Sequence, residues 1–264
     1  MYPLAYRRAA SLAEAERLLA EHPEAMPLAG GMTLVPALKL RLARPSHVVD
    51  IARLPELQGI EAGGGRVTVG AATTHAEVAR SEAVRRAIPA LAALAEGIGD
   101  PQVRNRGTLG GSVANNDPVA DYPAAVLALD AAIETNRRTI PAAEFFVGMF
   151  ATALAPGEIV LRVAFAVPHR AAYRKFAHPA SGYAMAGVFV AEHRDGPRVA
   201  VTGAGPAVFR WREAEAALSS AFRAEALAGL EPDASGLNAD IHASAEYRAN
   251  LAGVMARRAA AAIE

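Results

Sequence analysis

The sequence predicts an α+β chain in two parts, and three observations carry that reading. Its opening alternates helical and strand patterns around a Gly-Gly turn, as an α/β unit does. From Gly59 the hydrophobic period shortens to that of hairpins. Beyond Pro168, three strand patterns precede two helical ones, an α+β arrangement. A chain of 264 residues suits one large or two modest domains. The expected division is 1–168, with lobes of about 1–55 and 56–168, followed by 169–264.

Each element has a local reason. Ser11 and Glu14 have capping-box spacing before an amphipathic helix that runs to about His22 and stops at Pro23. Residues 26–29 read as a short buried strand and Gly30-Gly31 as a turn. A helix over 34–42 tolerates Pro36 in its first turn, and 47–51 is the next strand. In GIEAGGGRVTVGA, residues 59–71, the three glycines turn a hairpin whose second arm alternates at Val67 and Val69. Thr74 and Glu77 repeat the capping-box spacing. Residues 82–96 are helical with a restart at Pro89, and the segment 97–101 breaks them. Gly110-Gly111 sits in a loop over 108–118, ahead of an apolar helix over 119–129. Strands near 131–135 and 158–167 and a short helix near 142–150 follow, with TNRRTIP, 135–141, as a hairpin edge. The second part has strands at 173–176, 183–193 and 198–203, the last two joined by Arg194-Asp195-Gly196. Helices over 211–221 and 244–262 close the chain. The last carries Tyr247, Leu251, Val254 and Met255 on one face, and Arg257-Arg258 near its end suits the helix dipole.

Composition excludes several functions. Lys+Arg and Asp+Glu balance at 27 each, so there is no basic field for nucleic acid or anionic membrane. Alanine accounts for 64 residues, which inflates the apolar fraction of an otherwise ordinary soluble composition. Without cysteine the chain holds no disulfide, thiolate nucleophile or cysteine-ligated cluster. Its seven histidines are scattered, so no metal site is expected. No apolar run suits a signal peptide or a membrane span, and a cytoplasmic location is expected.

Two segments could carry chemistry. Ala29-Gly30-Gly31-Met32-Thr33-Leu34 and Thr108-Leu109-Gly110-Gly111-Ser112 each set a Gly pair beside a hydroxyl residue. Paired glycines let the backbone approach a bulky anion and aim successive N–H groups at it. The alternative is that both are ordinary turns. Neither is GxGxxG or a P-loop, so glycine spacing alone leaves the choice open.

The longer string GDPQVRNRGTLGGSVANNDPVAD, residues 99–121, weighs against ordinary turns. Together with AGGMTL at 29–34 and HASAEYR at 242–248, it resembles the FAD-binding subunit of the molybdenum hydroxylases, a group that includes carbon monoxide and xanthine dehydrogenases. The resemblance extends over nearly the whole chain. It implies a two-lobed FAD-binding unit of the vanillyl-alcohol-oxidase (PCMH) type, followed by a smaller α+β domain. FAD would be bound noncovalently, with Ala29, Gly30, Gly31, Met32, Thr33 and Leu34 around the pyrophosphate. Thr108, Gly110, Gly111, Ser112 and Asn115 would stand opposite. Ser112 and Met32 depart from the family's usual residues. Asp121, Ile98 and Val160 match positions beside the flavin, and Lys175 and Tyr183 match contacts from the C-terminal part.

Simpler roles stand beside these. Asp121 suits a helix start, Tyr183 a strand core, Lys175 an exposed strand, and Arg104 and Arg106 a solvated surface. Asn115 and Asn116 suit a turn, and His75 a helix start. The resemblance implies an electron-transfer oxidoreductase subunit, with no catalytic acid, base or nucleophile of its own. Molybdopterin and [2Fe-2S] clusters would lie in a large and a small partner subunit, as a dimer of heterotrimers. A stand-alone flavoenzyme and a cofactor-free scaffold are the alternatives.

Overall fold

The computed structural model describes residues 1–263. Three short strands pair in parallel, in the spatial order Ala5–Arg8, His47–Asp50, Met26–Leu28. The first, with the sequence AYRR, carries no alternation and was not expected from the sequence. Helix Leu12–Glu21 buries Ala15, Leu18 and Leu19, which pack with Val49 and Ile51. Its capping bonds are shifted by one residue. Ser11 accepts the Glu14 N–H, but Glu14 accepts from Ala10 rather than from Ser11. Met26–Leu28 is not the buried strand expected, since its residues are exposed or half-buried along the cavity described below. Helix Leu34–Lys39 ends early, and Arg41 takes a left-handed φ of 61° just beyond it.

The central hairpin forms from Ile60–Gly63 and Arg66–Gly70. Gly63 pairs with Arg66, so Gly64 and Gly65 alone make the turn, at φ 57° and 73°. That left-handed pair is what a two-residue type I′ turn requires. Val160–Ala166, Ala132–Thr135 and Thr139–Pro141 complete a five-stranded antiparallel sheet whose edge is the expected TNRRTIP hairpin. Helices His75–Arg80, Glu82–Ala87, Pro89–Glu96, Leu109–Asn115 and Tyr122–Ala128 surround the main core, which includes Val67, Leu91, Leu109, Tyr122 and Phe165.

Three readings need correction here. Residues 109–115 are a helix, not a loop, because the Thr108 hydroxyl caps them. The next helix starts at Tyr122 rather than 119, after Asp117 accepts the Val119 N–H in a local turn. The segment 142–150 divides into a helical turn, Ala142–Phe145, and a hairpin of Phe146–Gly148 with Ala151–Thr152. Asn116, left-handed at φ 44°, holds that hairpin by donating to the Gly148 and Ala151 carbonyls at 2.8 Å each.

Arg170–Ala177, Ala184–His193, Gly196–Thr202 and the short Phe209–Arg210 form an antiparallel meander. Helices Arg212–Ser220 and Ala245–Ala261 cover one face through Val188, Val190, Leu218, Leu251 and Met255. Phe189, Ala191 and Ala200, on the other face, join the central core. Tyr247 is exposed and Val254 half-buried, so the last helix packs through Leu251 and Met255 and not the whole predicted stripe. Among the described residues, no helix is long and apolar enough to cross a membrane.

Candidate functional site

The parallel sheet and the central helices leave a cavity of about 500 Å³, a volume typical of small-molecule sites. Ala29, Gly30, Gly31, Met32, Thr33 and Leu34 form one wall, and Thr108, Gly110, Gly111, Ser112 and Asn115 form the other. Ile98, Asp121, Val160 and Tyr183 complete it. Of the expected site residues, only Lys175 does not reach the cavity.

In each loop the first glycine packs against backbone or Ala71, while the second has only side-chain atoms near it. A Cβ on Gly30 would collide with the Arg106 carbonyl, and one on Gly110 with Ala71. Gly31 adopts φ 74°, which L side chains rarely tolerate. Gly111 is exposed; a Cβ there would meet only the Thr108 hydroxyl at 2.8 Å and Ala29 at 3.9 Å. Gly111 is therefore exposed beside Ala29 of the opposite loop.

The N–H groups are divided unequally. Those of Gly30, Gly31, Met32, Thr33 and Leu34 donate to no acceptor among the described residues. In the second loop the N–H groups of residues 109–112 are committed, and that of Thr108 donates to no acceptor among the described residues. Leu109 donates to Thr73, Gly110 to Ala71, Gly111 to the Thr108 hydroxyl and Ser112 to the Thr108 carbonyl. The sequence pattern suggested donors from both loops, but the first leaves a row of them free and the second only that of Thr108.

Asp121 is 4% exposed. Tyr173 donates its hydroxyl to one carboxylate oxygen at 2.5 Å, and Lys175 reaches the other at 3.1 Å. Burial pushes the Asp121 carboxyl up, while Lys175 and Tyr173 pull it back. Lys175 also donates to the Gly97 carbonyl at 3.0 Å, so it is neither an exposed charge nor a cavity residue. It touches Asp121, which lines the cavity. Tyr173 was missed, although it shares a strand face with Lys175 two residues on. Gly187 leaves room for its hydroxyl, since a Cβ there would collide with it.

The remaining alternatives resolve as follows. Asn115 lines the cavity and Asn116 shapes the neighbouring turn. Arg104 is half-buried and donates to the Ile98 and Gly99 carbonyls, whereas Arg106 is exposed. Tyr183 is 48% exposed beside the cavity, not a core residue. His75 starts a helix with a full Thr74–Glu77 capping box, as its position suggested, but it also lines the cavity. Burial, helped by the charge of Arg104, lowers its pKa to about 4. Glu158 lines the cavity too. Against the upward pull of burial, Arg138, the Ala155 N–H and the Thr135 hydroxyl bring its carboxyl to about 2. Among the described residues, no three His, Cys, Asp or Glu side chains group as a metal site.

Free amides across the cavity from Gly110 and Gly111, with no carboxylate in either loop, fit an anionic, oxygen-rich group such as the pyrophosphate of FAD. These features define a protein that binds such a cofactor. Comparison with known proteins names the family. Residues 2–169 match the family described as the FAD binding domain in molybdopterin dehydrogenase. The chain is 36% identical to the carbon monoxide dehydrogenase medium chain of Hydrogenophaga pseudoflava, covering 96% of this chain and 94% of that one. It is 38% identical to the nicotine 6-hydroxylase medium subunit of Paenarthrobacter nicotinovorans, with the same coverage. Its fold superposes on a chain of reconstituted CO dehydrogenase from Oligotropha carboxidovorans with a TM-score of 0.89, at 33% identity, covering 98% and 97% of the two chains. The match to quinoline 2-oxidoreductase from Pseudomonas putida 86 has a TM-score of 0.86 at 30% identity, covering 97% and 95%. The chain belongs to this family of FAD-binding oxidoreductase chains.

Proposed function

We propose that the chain is the FAD-carrying electron-transfer subunit of a multi-subunit molybdenum-dependent hydroxylase or dehydrogenase. The observation that carries this reading is the row of free N–H groups from Gly30 to Leu34 across the cavity from Gly111. These amides, with the Thr33 hydroxyl, hold the pyrophosphate. Gly111 and Ser112 let it approach from the opposite side, with Thr108, Gly110 and Asn115 shaping that wall. Ile98 and Val160 would flank the flavin and exclude water, Asp121 would contact it, and Tyr183, just ahead of strand Ala184–His193, would cover it. Lys175 and Tyr173 orient Asp121. Bound FAD supplies the redox chemistry, taking electrons from partner iron–sulfur clusters and passing them to an external acceptor.

The partners are a large molybdopterin-binding subunit and a small [2Fe-2S] subunit, in a dimer of heterotrimers. Two things support this: the chain has no cysteine to ligate a cluster, and its relatives are named medium chain or medium subunit. The separate sheets support a two-lobed PCMH-type unit over 1–168, with lobes of about 1–55 and 56–168, and a second domain over 169–264. The complex is assigned to the cytoplasm.

The test is anaerobic. The chain, loaded with FAD, is mixed with candidate substrates while flavin absorbance is followed. No bleaching alone and substrate-dependent bleaching after adding the large and small subunits are expected. Rapid stoichiometric bleaching without partners would replace the subunit reading with a stand-alone flavoenzyme.

A further inference from the structure

His75 is left without a task by the proposed function, on which this inference rests. Its imidazole is 5% exposed in the cavity wall and lies against the Tyr122 ring, 5.3 Å between centroids. The His75 N–H donates to the Gly107 carbonyl at 2.9 Å, and Thr74 bridges Thr108, so the ring is fixed to the start of the second loop. Neither ring nitrogen has a hydrogen-bond partner among the described residues, and Nδ1 is closed to solvent as well. No ligand can reach the sealed Nδ1, whereas Nε2 is not sealed and can meet one from the cavity that His75 lines.

The chemistry of that ligand follows from the protonation state. The ring is neutral near pH 7, because burial and Arg104 hold its pKa near 4. It therefore offers one N–H and one lone pair. A buried N–H without an acceptor is harder to tolerate than an unused lone pair. The sealed Nδ1 thus keeps the lone pair and Nε2 carries the proton. Nε2 lies beside Gly107, where an added Cβ would stand 2.6 Å from it. Gly107 in turn supports Gly30, whose own Cβ would stand 2.8 Å from the Gly107 Cα. The N–H edge of the imidazole is brought to the place where the two loops meet.

We propose that His75 donates its Nε2–H to a phosphate oxygen of the bound dinucleotide, as a neutral donor added to the amides of the first loop. His75→Gln keeps a side-chain N–H donor, whereas the similarly shaped His75→Met removes it and fills the same space. Binding of FAD and of ADP, which has the pyrophosphate but no flavin, is measured by calorimetry on the full chain. The Met variant is expected to bind both about 10-fold more weakly, and the Gln variant to stay within about threefold of wild type. The cofactor-free Met variant should unfold at no lower temperature than wild type, because it loses an unpaired polar group. ADP affinity unchanged in the Met variant would overturn the proposal. So would equal losses of affinity and stability in both variants, which would mark His75 as a packing residue. Failure of the wild-type chain to bind FAD at all would sink the cofactor reading itself.

Discussion

The two glycine loops look alike in sequence and differ in what their backbones can do. Thr33 precedes its helix at φ −107°, ψ −49° and makes no side-chain cap, so the N–H groups around it stay free. Thr108 precedes its helix in an extended conformation, at φ −117°, ψ 152°, and its hydroxyl accepts the Gly111 N–H. That cap uses the Gly111 N–H, and the Thr73 and Ala71 carbonyls take those of Leu109 and Gly110. A Gly-Gly pair beside a hydroxyl therefore does not by itself make a donor loop. The hydroxyl cap and the carbonyls beside the loop decide together whether its amides are used or remain available.

Substitutions can break this comparison. Gly30 and Gly110 are the packing members of each pair, and their neighbours are backbone or the short Ala71, which cannot swing away. Gly30→Ala and Gly110→Ala should each destabilise the cofactor-free chain by about 3 kcal/mol or more. Denaturant midpoints measure this, and a loss below about 1 kcal/mol in either would remove the packing role. Gly111→Val tests the exposed member. Its side chain enters the space between the loops, so the far-ultraviolet circular dichroism should persist while FAD affinity falls by about 100-fold or more. Unchanged FAD affinity would return the second loop to an ordinary turn. Gly31→Val is less informative, since its left-handed φ strains the fold and the site together.

Much of this arrangement was legible in the sequence. Hairpin turns, the Thr74 cap and the amphipathic helices obey local rules, so Gly64-Gly65, Thr74–Glu77 and the Pro89 restart could be read directly. Residues of the two loops could be grouped into one candidate site because they sit in recognisable strings. What local rules could not supply was anything decided across the chain. The strand Ala5–Arg8 exists because His47–Asp50 pairs with it, and its own pattern is silent. Lys175 is drawn out of the cavity by Asp121 and the Gly97 carbonyl. His75 is buried against Gly107, where a side chain would collide with its ring. Which loop holds free amides depends on hydrogen bonds from Leu109 and Gly110 to Thr73 and Ala71.

A smaller effect sharpens the same comparison. The first loop, Ala29 to Leu34, contains no titratable side chain, whereas the second is backed by His75. Acid should therefore act on the second wall first. His75 has a folded pKa near 4 against an ordinary 6.5. Between those values the unfolded chain binds more protons, so stability falls as pH drops through this window and is unaffected above it. By pH 5 the loss attributable to His75 should be about 2 kcal/mol. Asp121 acts in the opposite sense, because burial raises its pKa and the folded chain binds the extra proton. Comparing wild type with His75→Met cancels that contribution, which both chains share. Urea unfolding of the cofactor-free chains at pH 7 and pH 5 should show the Met variant losing about 2 kcal/mol less. Parallel losses in the two chains would mean that His75 is not held neutral by its surroundings, and that acid does not distinguish the two walls through this residue.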